Sequence, residues 1–222
     1  MLLDLIRGGN IVDIIVGLCV SAFVVFCILP IHEFAHAFVA HKMGDETARL
    51  QGRLTLSPMA HVNWIGALMI LLVGFGYAEP VPVNIMNVRM KNKKLAMALV
   101  ALAGPVSNLL VAFVSVFIMF LLYSFGNGGN NIVSAFIIFF NYNALININL
   151  AVFNFIPVPP LDGSRILLAI LPTKYYFSIM KYERYIVIGI FILLFTGALS
   201  RPLSLISTAL FNLFVNFFSL IF

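Results

Sequence analysis

The chain has 222 residues, of which 62% are hydrophobic and 9% charged, with a formal net charge of +5 and a mean hydropathy of +1.08. A surface of that composition could not be wetted, so a soluble fold is excluded. The positive balance does not point to nucleic acid: Arg89, Lys91, Lys93 and Lys94 precede one apolar run and Lys174, Lys181 and Arg184 another, as juxtamembrane anchors do.

Met1 to Asn10 carries Asp4 and Arg7 and leads into an apolar stretch without a small-residue cleavage site. It reads as a retained first membrane segment, not a removable signal. Apolar segments follow over about 11–40, 64–78, 95–125, 132–156, 185–199 and 203–222. Five of them suit a hydrocarbon core of roughly 30 Å. Segment 64–78 does not: it is short, carries Gly66, Gly74 and Gly76, and runs into Ala78-Glu79-Pro80-Val81-Pro82, which cannot continue a helix. Thr47 to Leu56 alternates Ala48, Leu50, Leu54 and Leu56 with Arg49, Gln51 and Arg53, the pattern of a short strand. Gly126-Asn127-Gly128-Gly129-Asn130 reads as a tight turn, and Pro157-Val158-Pro159-Pro160 as an abrupt stop. Cys19 and Cys27, on a shared helix, would stand about 12 Å apart, beyond disulfide reach, and read as apolar filler. The expectation is an all-α polytopic membrane protein, one domain over 1–222. It has about five transmembrane helices and a re-entrant or short β element between the first and second full spans.

His32-Glu33-Phe34-Ala35-His36 matches H-E-x-x-H, within a run free of glycine from Ser21 to Met43. On a helix, positions i and i+4 differ by about 40° around the axis, so both imidazoles can reach one tetrahedral zinc. Glu33, about 100° away, can address a water instead. Such a carboxylate takes a proton from water acidified by zinc and passes it to the leaving amine. In a chain with four His, shuffling would give the pattern by chance about once in a thousand sequences. Two histidines and a carboxylate within a membrane helix are also costly unless they face a cavity or a metal.

A catalytic zinc takes three protein ligands, so one more is required. Asp13 lies about 28 Å from His32 along a helix and is out of reach. Asp45 and Glu46 read as solvated loop residues after the helix. Asp162 follows the proline-rich break and precedes Gly163, where non-helical backbone near membrane depth must line a cavity or be buried. It is taken as the third ligand. His41 falls one residue short of a metzincin's third histidine and reads as an interfacial residue; His61 reads as a loop residue.

His32-Glu33-x-x-His36, Gly104-Pro105-x-x-Asn108 and Asn154-x-x-Pro157-x-Pro159-x-x-Asp162-Gly163, in that order, resemble the site-2 protease family. The likeness covers roughly residues 20–200 and is to the compact prokaryotic type without a PDZ or CBS domain. It implies a zinc-dependent endopeptidase that cuts transmembrane substrates within the bilayer. His32, His36 and Asp162 would bind Zn2+, and Glu33 would be the base. It also gives Asn154 a role in holding substrate or the oxyanion, which competes with a helix–helix hydrogen bond. Gly104-Pro105 with Ala101 and Ala103 reads as a close helix approach, and Asn108 as a structural bond. The alternative is a zinc-binding membrane protein that binds or transports without cleaving, for which Glu33 has no use; a di-iron desaturase would need more histidines than four.

His36 lies toward the end of the first span and Asp162 just beyond segment 132–156, so the two ends must meet. They do so only if 64–78 turns back. Loops 42–94 and 157–185 then share one side and hold all but Arg7 and Arg201 of the thirteen Lys and Arg. The positive-inside rule makes that side cytoplasmic, with the N-terminus opposite and the site of this multi-pass cell-membrane protein opening to the cytoplasm. An unwound substrate helix could pair with an exposed strand edge, at Leu50 to Leu56 or Gly74 to Val83.

Overall fold

In the computed structural model of the chain, residues 11–73, 76, 78–126 and 131–222 are described. Asp4, Arg7, Gly74 and the turn residues 127–130 lie outside them.

The first span is one long helix in two parts, α1 (Ile11–Phe23) and α2 (Leu29–Lys42), joined by a π-helical turn over Val24–Ile28. Pro30, at the start of α2, lacks an N–H and its ring crowds the carbonyl four residues back; the wider turn accommodates both without a break. The remaining helices are α3 (Thr47–Leu50), α4 (Trp64–Val73), α5 (Lys93–Phe125), α6 (Asn131–Asn154), α7 (Asp162–Ile170), α8 (Thr173–Met180), α9 (Glu183–Phe195) and α10 (Ser200–Ser219), with a 3-10 turn at Pro58–Ala60. Among the described residues four helices are long and apolar enough to cross a membrane: Ile14–Lys42, Lys93–Phe125, Asn131–Asn154 and Ser200–Ser219. The fifth expected span is the 13-residue α9, about 20 Å long. Gly197, at φ +72°, ends it before α10 begins.

α1 and α6 run side by side in the same direction. Phe23 meets Phe139 edge to face at 5.5 Å, and Val16, Val20, Val24 and Ile28 form a cluster bordered by Ile138, Tyr142, Ile146 and Leu150. α5 returns antiparallel to α6, with Val116 clustered with Ala144 and Ala112 with Ile148. A buried amide binds this pair: Asn143 Nδ2 donates to Ser115 Oγ across the two helices (2.7 Å), while Asn147 Nδ2 donates to the Asn143 side chain within α6 (3.1 Å) and orients it. In lipid, where apolar packing discriminates little between partners, such bonds fix which helix faces which. α10 closes the group through Phe214 and Phe218 against Phe113.

Between α2 and α5 the chain makes a closed hairpin. The Glu79 N–H donates to the His61 carbonyl at 2.8 Å, so the chain leaving at His61 comes back to it. A Cβ on Gly76 would sit 2.0 Å from the Gly66 carbonyl oxygen, which places the returning chain directly against α4. His61, fully buried, also ties Thr55 into this junction, its Nε2–H donating to the Thr55 carbonyl at 2.8 Å.

The strand expected over Thr47 to Leu56 does not form; among the described residues there is no strand. Thr47–Leu50 is a helical turn closed by Gly52 at φ +69°, with Arg53 N–H bonded to Ala48 O (2.8 Å) and Gly52 N–H to Arg49 O (3.0 Å). That is a Schellman cap, and it satisfies locally the groups a strand would have offered to a partner. Asp45 is likewise no solvated loop residue. It is 1% exposed and accepts from the N–H groups of Thr47 (3.0 Å) and Asn84 (2.6 Å), the Thr47 hydroxyl and the Asn87 amide (3.3 Å). It thereby pins residues 84–87 to the end of α2. Glu46 stays at the surface beside His41 (3.1 Å) and Arg49 (3.4 Å).

Burial raises the Asp45 carboxyl, but these donors outweigh it and hold the group below the usual carboxylate range. With the folded value below the unfolded one, its contribution is complete above about pH 4 and fades as pH falls through the folded value. Asp45→Ala should cost about 1 to 2 kcal/mol near neutral pH by removing charge-assisted hydrogen bonds to half-buried and exposed donors. In thermal melts in detergent, the gap between wild type and variant should narrow as the pH drops below about 4.

Candidate metal centre

The helix through His32, Glu33 and His36 sets both imidazoles on one face, buried to 7% and 4% exposure. Their Nε2 atoms are 3.1 Å apart and their rings meet edge to face at 4.7 Å. Asp162 arrives from the far end of α6. After Asn154 the chain turns through the prolines and opens α7 with Asp162 in its first turn. Gly163 permits the turn, since a Cβ there would lie 2.4 Å from Ile156 O and 2.5 Å from Phe155 O. Asp162 Oδ2 ends 3.2 Å from His32 Nε2 and 3.3 Å from His36 Nε2.

Three electron-rich atoms thus surround one point. Donors bound to zinc at 2.0–2.1 Å in a tetrahedron stand about 3.3–3.4 Å apart, close to the three separations here. Two further observations fit a cation at that point. Asp162 Oδ2 is buried yet has no hydrogen-bond donor. His36 Nδ1–H donates to Val100 O at 2.7 Å, which leaves the lone pair of Nε2 facing the other two ligand atoms.

α5 makes room for the trio at Gly104. A Cβ there would fall 2.4 Å from His36 Nε2 and 2.5 Å from His32 Cε1. The glycine read from the sequence as a helix-approach residue therefore clears space for the imidazoles themselves. Glu33 points to the hairpin side, its Oε2 accepting the Val81 N–H at 2.9 Å. Asn154 donates to Leu150 O within its own helix at 3.0 Å and stands outside the ligand set. His41 and His61 also lie outside it. The Val81 N–H and Val100 carbonyl had no sequence signal, because backbone groups are the same at every residue.

A curated relative from Bacillus subtilis (strain 168), named "Putative zinc metalloprotease YwhC", is 42% identical over 172 residues, covering 76% of each chain. The chain belongs to peptidase family M50. The family's model matches residues 122–196, which hold Asn154 and Asp162. Another relative, "Putative zinc metalloprotease Rip2" of Mycolicibacterium smegmatis, is 29% identical over 181 residues, 78% of this chain and 65% of its own. Its namesake in Mycobacterium tuberculosis is 31% identical over 162 residues, 70% of this chain and 56% of its own. No solved structure matches.

For this M50 member the Gly104 contact gives a direct test. Gly104→Ala should retain its helix by circular dichroism, since alanine favours helix, while its affinity for divalent metal falls at least about tenfold in competition with a chelating dye.

Proposed function

We propose that the chain is a zinc-dependent intramembrane endopeptidase whose substrates are transmembrane segments. The observation that carries this reading is the meeting of His32, His36 and Asp162 within 3.3 Å of one another beside Glu33. His32 Nε2, His36 Nε2 and an Asp162 oxygen would hold the ion. When bound, zinc supplies a Lewis acid that acidifies water and polarises a carbonyl. Glu33 is anchored through Oε2, which leaves Oε1 to take the proton of the attacking water and return it to the leaving amine. Asn154 spends one amide hydrogen on Leu150 O and retains a second that can meet the carbonyl oxygen as it gains charge. The buried walls around the ligands keep bulk water from competing.

The closed hairpin supports a re-entrant 64–78, dipping into the membrane and returning to the side it left. α4 has 10 residues, about 15 Å, half of what a crossing needs. With α6 parallel to the first span, α2 and α6 then end on one face, together with most of the cationic residues. That face is cytoplasmic by the positive-inside rule. The segment at 78–83 could pair with an unwound substrate only in part, because Arg53 already holds the Glu79 and Pro80 carbonyls. Pro80 and Pro82 have no N–H, and those of Glu79 and Val81 are engaged by His61 and Glu33.

Glu33→Gln should keep zinc and lose at least about a thousandfold in kcat on a synthetic transmembrane substrate. His36→Ala and Asp162→Ala should lose the metal as well, by elemental analysis of purified protein. Cleavage by Glu33→Gln at the wild-type rate would rule out this mechanism. Cysteines introduced in loop 42–63 should react with a membrane-impermeant maleimide only in inverted vesicles; labelling of intact cells would reverse the orientation.

A further inference from the structure

The base is tied to a segment that cannot hold itself in place. Pro80 and Pro82 leave two of the six positions in 78–83 without an N–H, and among the described residues no strand pairs with the segment. The Val81 side chain, 5% exposed, is clustered with Ala37 and Ala48 and bordered by Leu54. That seats the segment but does not fix how its peptide planes are turned.

Arg53 does fix them. Its Nη2 donates to two successive carbonyls, Glu79 O at 2.7 Å and Pro80 O at 3.2 Å. The guanidinium springs from a rigid base, because Arg53 N–H closes the cap on the helical turn before it. Pro80 C=O and Val81 N–H belong to the same planar peptide unit, where they point in opposite directions. A grip on the Pro80 oxygen from one side therefore aims the Val81 N–H to the other, where Glu33 Oε2 receives it at 2.9 Å. We propose that Arg53 is a positioning residue for hydrolysis, acting on Glu33 across the Pro80–Val81 peptide plane.

The proposal rests on Glu33 being the base, but the clamp itself does not require activity to be observed. Two variants of the full-length protein in nanodiscs test it: Arg53→Met, which keeps the stem and removes the donors, and Arg53→Lys, which restores a charged donor. Hydrogen exchange at the Val81 amide, with and without zinc, should quicken at least about tenfold in Arg53→Met and return toward wild type in Arg53→Lys. On a fluorogenic transmembrane peptide, Arg53→Met should lose about ten- to a hundredfold in kcat at unchanged KM and unchanged zinc content, with Arg53→Lys recovering most of the loss. Unchanged exchange at Val81 would overturn the clamp. A rise in KM with kcat intact would overturn the positioning role and assign Arg53 to substrate binding. A wild type that fails to cut the peptide counts against the protease reading alone, since the exchange measurement still decides the clamp.

Discussion

Two imidazole nitrogens and a carboxylate oxygen, all within 3.3 Å of one another in a buried pocket, repel unless something positive stands among them. The surrounding structure is arranged to keep them there. α5 gives up a side chain at Gly104 so that the rings fit, and its Val100 carbonyl sets the tautomer of His36. The turn after α6 gives up another at Gly163 so that Asp162 can swing back. These concessions would be costly in a helix bundle with no cation to bind, and together they explain small residues that pattern alone assigns to packing.

The topology follows from the same demand. The histidines and the aspartate sit on segments separated by α4 and α5, and they meet because the first span and α6 are parallel. That requires the hairpin between His61 and Glu79 to close on itself, which it does through one backbone hydrogen bond. Asp45 adds the second restraint by binding Asn84 and Asn87 to the end of α2. The hairpin is thereby registered against the helix that carries Glu33.

What could be read in advance divides by chemistry. His32, Glu33 and His36 were legible because a helix converts a spacing of four residues into a shared face. Asp162 was legible because backbone broken by prolines near membrane depth has few reasons to carry an acid. The alternation over Thr47 to Leu56 misled: ten residues of period two count for little against a local cap, and Gly52 was the residue that carried the cap. Asp45 was misread because its partners are backbone and amide groups some forty residues on, which no local pattern announces. The apolar run expected over 185–199 is a helix over Glu183–Phe195, because an apolar run says nothing of the bend that Gly197 introduces.

α5 has 33 residues, about 50 Å of helix against a hydrocarbon core of roughly 30 Å. Were it centred and upright, about 10 Å would extend past each boundary. Gly104, eleven residues or about 16 Å from Lys93, would then lie some 6 Å below the surface. Tilt about the centre would carry it a little deeper, since it shortens every residue's distance from the midplane. On the site proposed above, a reacting bond would then be met within one leaflet and not at the bilayer centre, and a substrate helix would need to fray by only about two turns to reach it.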